Sequence, residues 1–295
     1  MTPLPPASLD ALLPPAMAAR AEEVGVAKTR MRFGPKFALA VLAGAFIALG
    51  AVFATVVSTG VSPALPYGII KLLAGLAFCL GLVLVVVGGA ELFTGNNLKI
   101  MAWASGKVSS GQLLRNWTIV YVGNFVGAVL TAGMVFLSGQ YLGAGGALGL
   151  NALQIAAAKT GLGFLPALIL GIFCNALVCL AVWMCMGART TADKILAILF
   201  PITAFVAAGF EHCVANMYFI PIGLFIKSGA VPAFWGGLGL SAADFSGLTW
   251  GAFLVRNLLP VTIGNMIGGV VMVGLMYWFI YLHPLHRSQA TQSAV

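Results

Sequence analysis

Two glutamates in apolar surroundings are the residues of this chain whose placement most needs a chemical explanation. The stretches ELFTGN and EHCVAN begin at Glu91 and Glu211, and each glutamate precedes an asparagine by five positions. The other acids fall in loops or tails: Asp10, Glu22, Glu23, Asp193 and Asp244. A broken helix exposes backbone N–H groups that an apolar medium cannot satisfy, and a carboxylate can accept their hydrogen bonds. We therefore expect Glu91 and Glu211, with Asn96 and Asn216, to structure loops and not to bind an anion, which they would repel.

His212 is the side chain best suited to handle a proton in this setting. His283 and His286 follow the last apolar run, so His212 is the only histidine inside one. Imidazole can hold or lend a proton near neutral pH. The matching position in ELFTGN is Leu92, so the fold itself does not require a histidine there. An ionisable residue within an apolar run indicates function, and we predict a functional role for His212.

Lys159 is a third candidate, because it is an isolated cation in the otherwise uncharged stretch NALQIAAAKTGLGF. An ordinary surface lysine would account for it equally well. A lone positive charge at the mouth of a pore would instead concentrate anions. The residues alone leave both interpretations open.

Membrane helices must position these residues, because the chain is too apolar to fold in water. Of 295 residues, 61% are hydrophobic and 7% are charged, whereas a soluble domain carries about 25% charged residues. The apolar runs lack the alternation of membrane strands and approach or exceed the roughly 20 residues that a helix needs to cross. We predict an all-α integral membrane protein with six transmembrane helices, the second and fifth of them broken. The predicted spans are 37–60, 71–106, 113–138, 163–187, 194–220 and 256–282.

The charge distribution predicts the orientation and three regions. We expect residues 1–36 to form a cytoplasmic segment with a short amphipathic helix over 8–26. Residues 37–282 then form the channel domain with its six transmembrane helices, and residues 283–295 form a short cytoplasmic tail. With the N-terminus inside, eleven Lys and Arg residues lie on the inner side and four on the outer side, which the positive-inside rule favours. The outer four are Lys71, Lys159, Lys227 and Arg256. The net charge of +8 therefore reflects topology, and we expect no nucleic-acid partner. The first residues also lack the features of a secretory signal.

The glutamate stretches belong to a longer internal repeat. GNFVG at 123–127 is matched by GNMIG at 264–268, and upstream GAFIALG at 44–50 loosely resembles GIFCNAL at 171–177. Each copy contains three spans, so the second copy must enter the membrane from the opposite side. Such a 3+3 inverted repeat is typical of transporters and channels. The Gly-Asn-x-x-Gly pairs have the spacing that lets helices pack closely.

No cofactor or metal site is predicted. The five cysteines all lie within spans, and their spacing shows neither a zinc pattern nor a disulfide framework. They are Cys79, Cys174, Cys179, Cys185 and Cys213. Haem usually takes paired axial ligands, and a single membrane histidine cannot supply a histidine pair. A membrane enzyme or electron carrier is therefore a weak alternative, and we expect no enzyme.

These motifs together identify a resemblance. The chain resembles the formate/nitrite transporter family, most closely its formate channels, through AELFTGN, GNFVGA, GIFCNALVCLAVWM and GFEHCVANMYFIP. The resemblance spans nearly the whole chain. It implies a homopentamer of aquaporin-like protomers in the bacterial inner membrane, with one pore through each protomer and both termini in the cytoplasm.

The resemblance also implies a set of pore residues. Thr94, in the break of span 2, should face His212 in the break of span 5. The polar pore residues fall on Thr94, Lys159, Asn175 and His212. The hydrophobic constrictions fall on Phe78, Leu82, Leu92, Phe93, Val178 and Phe205. Glu91 stands where many formate channels have aspartate, and Gly95 and Asn96 stand where they have other small polar residues; these departures bear on how that loop gates.

A transport mechanism follows from these expectations. A bare anion loses its hydration in an apolar constriction, and a small carboxylic acid with a pKa of roughly 4 is almost fully ionised at pH 7. We expect Lys159 to draw the anion into the outer vestibule and Thr94 and His212 to hydrogen-bond it, with Asn175 supporting the Lys159–His212 side. If His212 lends a proton, the protein is a symporter; if it stays a cationic counter-charge, the protein is an anion channel.

Formate is the expected substrate, with nitrite or hydrosulfide as the alternative within the same family. A water or glycerol channel is a more distant alternative. That class would carry Asn-Pro-Ala at both half-helix starts, and neither ELFTGN nor EHCVAN contains it.

Overall fold

The computed structural model describes residues 10–60 and 65–283. The C-terminal tail after 283 and the first two residues of the expected amphipathic helix lie outside the described residues. The described residues form helices α1 (Pro14–Arg30), α2 (Phe33–Val57), α3 (Tyr67–Gly88), α4 (Ile100–Ala104), α5 (Ser110–Leu137), α6 (Ala147–Thr160), α7 (Phe164–Gly187), α8 (Thr191–Ala207), α9 (Cys213–Gly229), α10 (Pro232–Leu238) and α11 (Ala252–Leu282).

The all-helical, six-span prediction is confirmed. Five described helices are each long and apolar enough to cross a membrane: α2, α3, α5, α7 and α11. The fifth predicted span, 194–220, is divided between α8 and α9, on either side of a break. Because α9 runs to Gly229, it continues nine residues beyond the predicted end of that span, and α10 then turns away from it by 102°.

Both predicted breaks are present and have the same local cause. α3 and α8 each end one or two residues before a glycine with positive φ, Gly89 at 79° and Gly209 at 73°. Glycine adopts this left-handed conformation without the steric cost that a side chain would add. Helical structure resumes with a 3₁₀ turn at Gly95 before α4, and with α9 at Cys213.

The two halves pack in the same way. α2 contacts α3 and α5, and α7 likewise contacts α8 and α11. A Cβ on Gly127 would lie 1.9 Å from the carbonyl oxygen of Val41, and one on Gly268 would lie 2.1 Å from that of Ile172. The Gly-Asn-x-x-Gly motifs therefore bring α5 onto α2 and α11 onto α7, as the spacing predicts. Contacts between α3 and α8 join the halves.

The first helices of the two repeats, α2 and α7, correspond with a shift of one helical turn from the alignment of GAFIALG with GIFCNAL. Asn124 donates a hydrogen bond to the carbonyl oxygen of Ala40 at 2.7 Å, and Asn265 donates to that of Gly171 at 2.8 Å. Ala40 is therefore the partner of Gly171. The predicted pairing of Gly44 with Gly171 is wrong by four residues, because two glycine-containing apolar helices align almost as well one turn apart.

Two further elements complete the fold. α1 packs against α4, α5 and α7, and the N–H of Leu12 donates to the carbonyl oxygen of Gly187 at 3.1 Å. Helix α1 begins at Pro14 and ends at Arg30, so both of its ends lie further along the chain than the predicted 8–26. The sequence predicted no helix in the outer stretch before span 4, but α6 forms there and packs along α9. Lys159 therefore lies on the last turn of a helix.

Candidate functional site

The two breaks meet at one hydrogen bond. Thr94 Oγ1 lies 3.0 Å from His212 Nε2, and both residues are buried, at 0% and 2% exposure. The structure thus brings together the two residues expected to face each other.

The other ring nitrogen of His212 fixes the tautomer. His212 is the N-cap of α9, and its Nδ1 accepts a hydrogen bond from the N–H of Ala215 at 3.0 Å. A nitrogen that accepts carries no proton, so the neutral ring holds its proton on Nε2 and donates it to Thr94 Oγ1. The hydroxyl proton of Thr94 is then available for another acceptor.

The first glutamate is matched by two cations. Glu91 Oε1 lies 2.7 Å from Lys28 Nζ, and Glu91 Oε2 lies 3.0 Å from Lys99 Nζ. Asn96 Nδ2 also donates to Oε2 at 3.0 Å. Asn116 Oδ1 accepts from Lys99 Nζ at 2.8 Å. The carboxylate therefore ties α1 to the break after α3.

The second glutamate has corresponding partners from the other half, with one cation instead of two among the described residues. Lys159 Nζ donates to Glu211 Oε1 at 2.7 Å. Asn216 Nδ2 and Asn257 Nδ2 donate to Oε2 at 2.7 and 3.1 Å. This carboxylate ties α6 and α11 to the break after α8.

The backbone at the breaks is held by asparagines, which corrects the expectation that the carboxylates would accept its N–H groups. Asn124 accepts from the N–H of Phe93 at 2.9 Å and donates to the carbonyl oxygen of Glu91 at 2.9 Å. Asn265 accepts from the N–H of Cys213 at 2.9 Å and donates to the carbonyl oxygen of Glu211 at 2.9 Å. A primary amide supplies both a donor and an acceptor, as a loop backbone requires, whereas a carboxylate only accepts. We call Asn124 and Asn265 the asparagine clamps.

From the sequence, the Gly-Asn-x-x-Gly motifs that contain the asparagine clamps were expected to serve helix packing alone. The packing is present, since the flanking glycines bring the helices together, but the asparagine between them has its own role. The signal that could have revealed it is the recurrence of asparagine at the same position in both copies, because packing needs only the glycines.

Asn175 lies on the side of Thr94, which corrects its expected place beside Lys159 and His212. Its Nδ2 donates to Asn97 Oδ1 and to the carbonyl oxygen of Asn265, both at 2.7 Å, and lies 3.4 Å from that of Thr94. Cys179 Sγ also lies 3.4 Å from the Thr94 carbonyl oxygen. Asn175 therefore joins the first break to the helix that clamps the second.

One vestibule borders each break. The larger, which we call the Lys159 vestibule, has a volume of about 490 Å³ and is lined by Lys159, Glu211 and His212 among others. The smaller, the Lys28 vestibule, has a volume of about 240 Å³ and is lined by Lys28, Lys99 and residues of α1.

The expected constrictions are all buried, and four of the six line one of the two vestibules. Phe78 and Phe205, whose rings meet edge to face at 5.5 Å, line the Lys159 vestibule, and Leu82 and Leu92 line the Lys28 vestibule. Phe219 also lines the Lys159 vestibule and was missed by sequence reasoning. Its ring stacks on Phe78 at 6.3 Å and lies 5.4 Å from Lys159 Nζ.

Phe93 and Val178 line neither vestibule. The ring of Phe93 packs edge to face on Tyr121 at 4.9 Å. Val178 lies on α7 and is 1% exposed.

The described cysteines are all free and buried, and no group of three or more His, Cys, Asp or Glu among residues 10–60 and 65–283 could hold a metal ion.

Comparison with known proteins agrees with this architecture. Residues 15–279 match the family model described as formate/nitrite transporter. The chain is 48% identical over 273 residues to the formate channel FocA of Escherichia coli strain K12, covering 92% of this chain and 95% of that protein. It is 41% identical over 260 residues to the formate channel FocA of Haemophilus influenzae, covering 88% and 91%.

A solved structure described as a pentameric formate channel with formate bound superimposes with a TM-score of 0.81 at 48% identity, covering 85% of this chain and 98% of that chain. A second, described as an FNT family ion channel, gives a TM-score of 0.76 at 28% identity, covering 90% and 98%. The chain belongs to the formate/nitrite transporter family.

Proposed function

We propose that the protein is a transmembrane channel for small monovalent anions of weak acids, with formate as its principal substrate. The observation that carries this proposal is the buried Thr94–His212 hydrogen bond, enclosed by an aromatic pair on one side and two leucines on the other. The relatives named as formate channels support the choice of anion.

The residues divide the transport path into three steps. An anion enters the Lys159 vestibule, where Lys159 is already paired with Glu211 and so steers less strongly than a free cation would. It then passes Phe78 and Phe205, where the loss of hydration opposes its passage. Thr94 O–H replaces lost water at the centre, and His212 Nε2–H does so once it turns from Thr94 Oγ1 to the anion.

The N-cap of α9 bears on the choice between symport and channel. His212 Nε2 is already protonated in the neutral ring, so lending a proton requires a second proton on Nδ1 first. That proton would face the N–H of Ala215, which now donates to Nδ1 at 3.0 Å. We propose that His212 acts as a neutral hydrogen-bond donor in the resting state and takes up a proton only when its cap with Ala215 opens. Proton coupling would then depend on movement of the break.

We further propose a homopentamer in the bacterial inner membrane with both termini in the cytoplasm. The relative described as pentameric supports the assembly. This orientation is supported by four cations that line the Lys28 vestibule, because the positive-inside rule favours the cytoplasmic side for them: Arg20, Lys28, Lys99 and Lys194. The Lys159 vestibule is then the outer one.

The experiment that tests the function is uptake of labelled formate into proteoliposomes between pH 5 and 8, with and without excess nitrite, alongside His212→Asn. We expect wild-type formate flux, and a changed pH dependence in the variant with the pentamer intact. Equal flux by wild type and variant at every pH would contradict the role of His212. Nitrite or hydrosulfide flux without formate flux would contradict the choice of formate as the substrate. Osmotic swelling that shows water or glycerol permeation without any anion flux would contradict the assignment as an anion channel.

A further inference from the structure

The Lys159 vestibule is larger and more apolar than the transported anion needs. Its volume is about 490 Å³, within the roughly 300–1,000 Å³ of small-molecule sites, whereas formate has one carbon atom. Its walls include the apolar side chains of Ile70, Ile155, Leu162 and Leu170. Apolar walls do nothing to hold a small hydrated anion, so they provide contact area for a ligand that has an apolar body.

The charges of the vestibule leave one cation unmatched. Lys159 is paired with Glu211 at 2.7 Å. Lys71, on the first turns of α3, also lines the vestibule, and within the part of the chain that the structure describes it forms no ion pair. Its Nζ lies 5.4 Å from the ring centroid of Tyr67. One unmatched ammonium beside an apolar wall is complementary to a monoanion with an apolar body.

The base of the vestibule is closed to such a ligand. Phe78 and Phe205 are 2% and 3% exposed, and their rings are in edge-to-face contact. The ring of Phe219 stacks on Phe78. A planar aromatic group could rest on this cluster, but it could not pass where the rings meet.

We propose that the Lys159 vestibule is a binding site for amphipathic monocarboxylates larger than the transported anion. The carboxylate pairs with Lys71, and the aromatic or branched apolar body lies against Ile70, Ile155 and Leu162. Such a ligand blocks access to Phe78 without being transported. Only the blocking effect rests on the proposed anion transport, since binding is a property of the vestibule itself.

The test uses benzoate as the probe and benzamide as its neutral analogue of the same shape. Calorimetry on the detergent-solubilised protein measures binding, and formate flux in proteoliposomes measures blocking. Lys71→Gln removes the unmatched charge, and Ile155→Ala removes part of the wall. Lys194→Gln is the matched control, because Lys194 lines the other vestibule and forms no ion pair among the described residues.

We expect benzoate to bind and inhibit, and benzamide to do so at least about fivefold more weakly. Lys71→Gln should weaken benzoate binding about fivefold, the size of a partly exposed ion pair, and should leave benzamide binding unchanged. Ile155→Ala should weaken both ligands, and Lys194→Gln neither.

Three results would overturn the proposal: no heat of benzoate binding, equal binding of benzoate to wild type and Lys71→Gln, or uptake of labelled benzoate into the vesicles. Benzoate binding without any formate flux would instead support the site while overturning the proposed transport function.

Discussion

Substitution of an asparagine clamp tests how the breaks are held. In Asn265→Ala, three hydrogen bonds disappear: those to the N–H of Cys213 and to the carbonyl oxygens of Gly171 and Glu211, at 2.9, 2.8 and 2.9 Å. The Asn265 side chain that makes these bonds is 0% exposed. Water therefore cannot readily take the place of the lost amide.

The size of the effect follows from two limits. Hydrogen bonds between membrane helices contribute about 0.6 kcal/mol each on average, because the unfolded chain finds other partners. Buried backbone groups left unsatisfied cost about 1–3 kcal/mol each. Three bonds then give about 2–9 kcal/mol, and we expect about 3 kcal/mol, since a loosened break can re-pair some groups. Cys213 follows His212 directly, so formate flux should fall as well.

The assay is detergent-induced unfolding of the purified protein, with proteoliposome flux measured in parallel. Asn124→Ala is the matched variant, because Asn124 makes the same three kinds of bond in the other half. Asn151→Ala is the control, since half-buried Asn151 donates to Thr55 in the last turn of α2 and to Ser58 and Thr59 just after it, and to no residue of either break. A loss below about 1 kcal/mol in both clamp variants would refute the reasoning.

Three further predictions concern the residues around the central pair. Gly269→Ala would place a Cβ 2.4 Å from Asn175 Nδ2, so we expect a loss of about 1–3 kcal/mol from overpacking and reduced formate flux; Gly269→Ser with full flux would contradict this. Glu211→Gln leaves Lys159 unmatched in a site where the carboxylate is 5% exposed, and should cost about 3 kcal/mol. The double variant with Lys159→Met should regain most of that stability in a double-mutant cycle, and additive losses would disprove the coupling. Thr94→Val keeps the shape but removes the hydroxyl donor, and should abolish most formate flux in pentamers of normal size; retained flux would show that the hydroxyl does not contact the anion.

The breaks could be predicted because they violate the chemistry of a membrane span. A glutamate followed by an asparagine in an apolar run has no stable place on a continuous helix facing lipid, so its position identified both loops. The repeat of this pattern then predicted the inverted architecture. The signal came from polar residues where the solvent forbids them, which is the strongest constraint in a membrane protein.

The missed features lack such a contrast. α6 is short, and only one of its residues is charged, so it resembles a loop as much as a helix. The clamp asparagines stand between glycines whose packing role was sufficient to explain the motif. Asn175 was expected beside His212, whereas it lies beside Thr94. The direction in which it points depends on how α7 packs against α11, and the sequence of α7 alone does not determine that packing. Phe219 is an aromatic residue among many.

The paired clamps have an evolutionary consequence. Asn124 and Asn265 hold their loops mainly through backbone atoms, so the residues between the clamped points can diverge without loss of the architecture. The two copies show this divergence, since one has Leu92 where the other has His212. A duplicated scaffold thus keeps its symmetry while one loop acquires chemistry that its twin lacks. The residues that hold the shape of the loops are therefore not the residues that differ between them, so the architecture can stay constant while the chemistry of one loop changes.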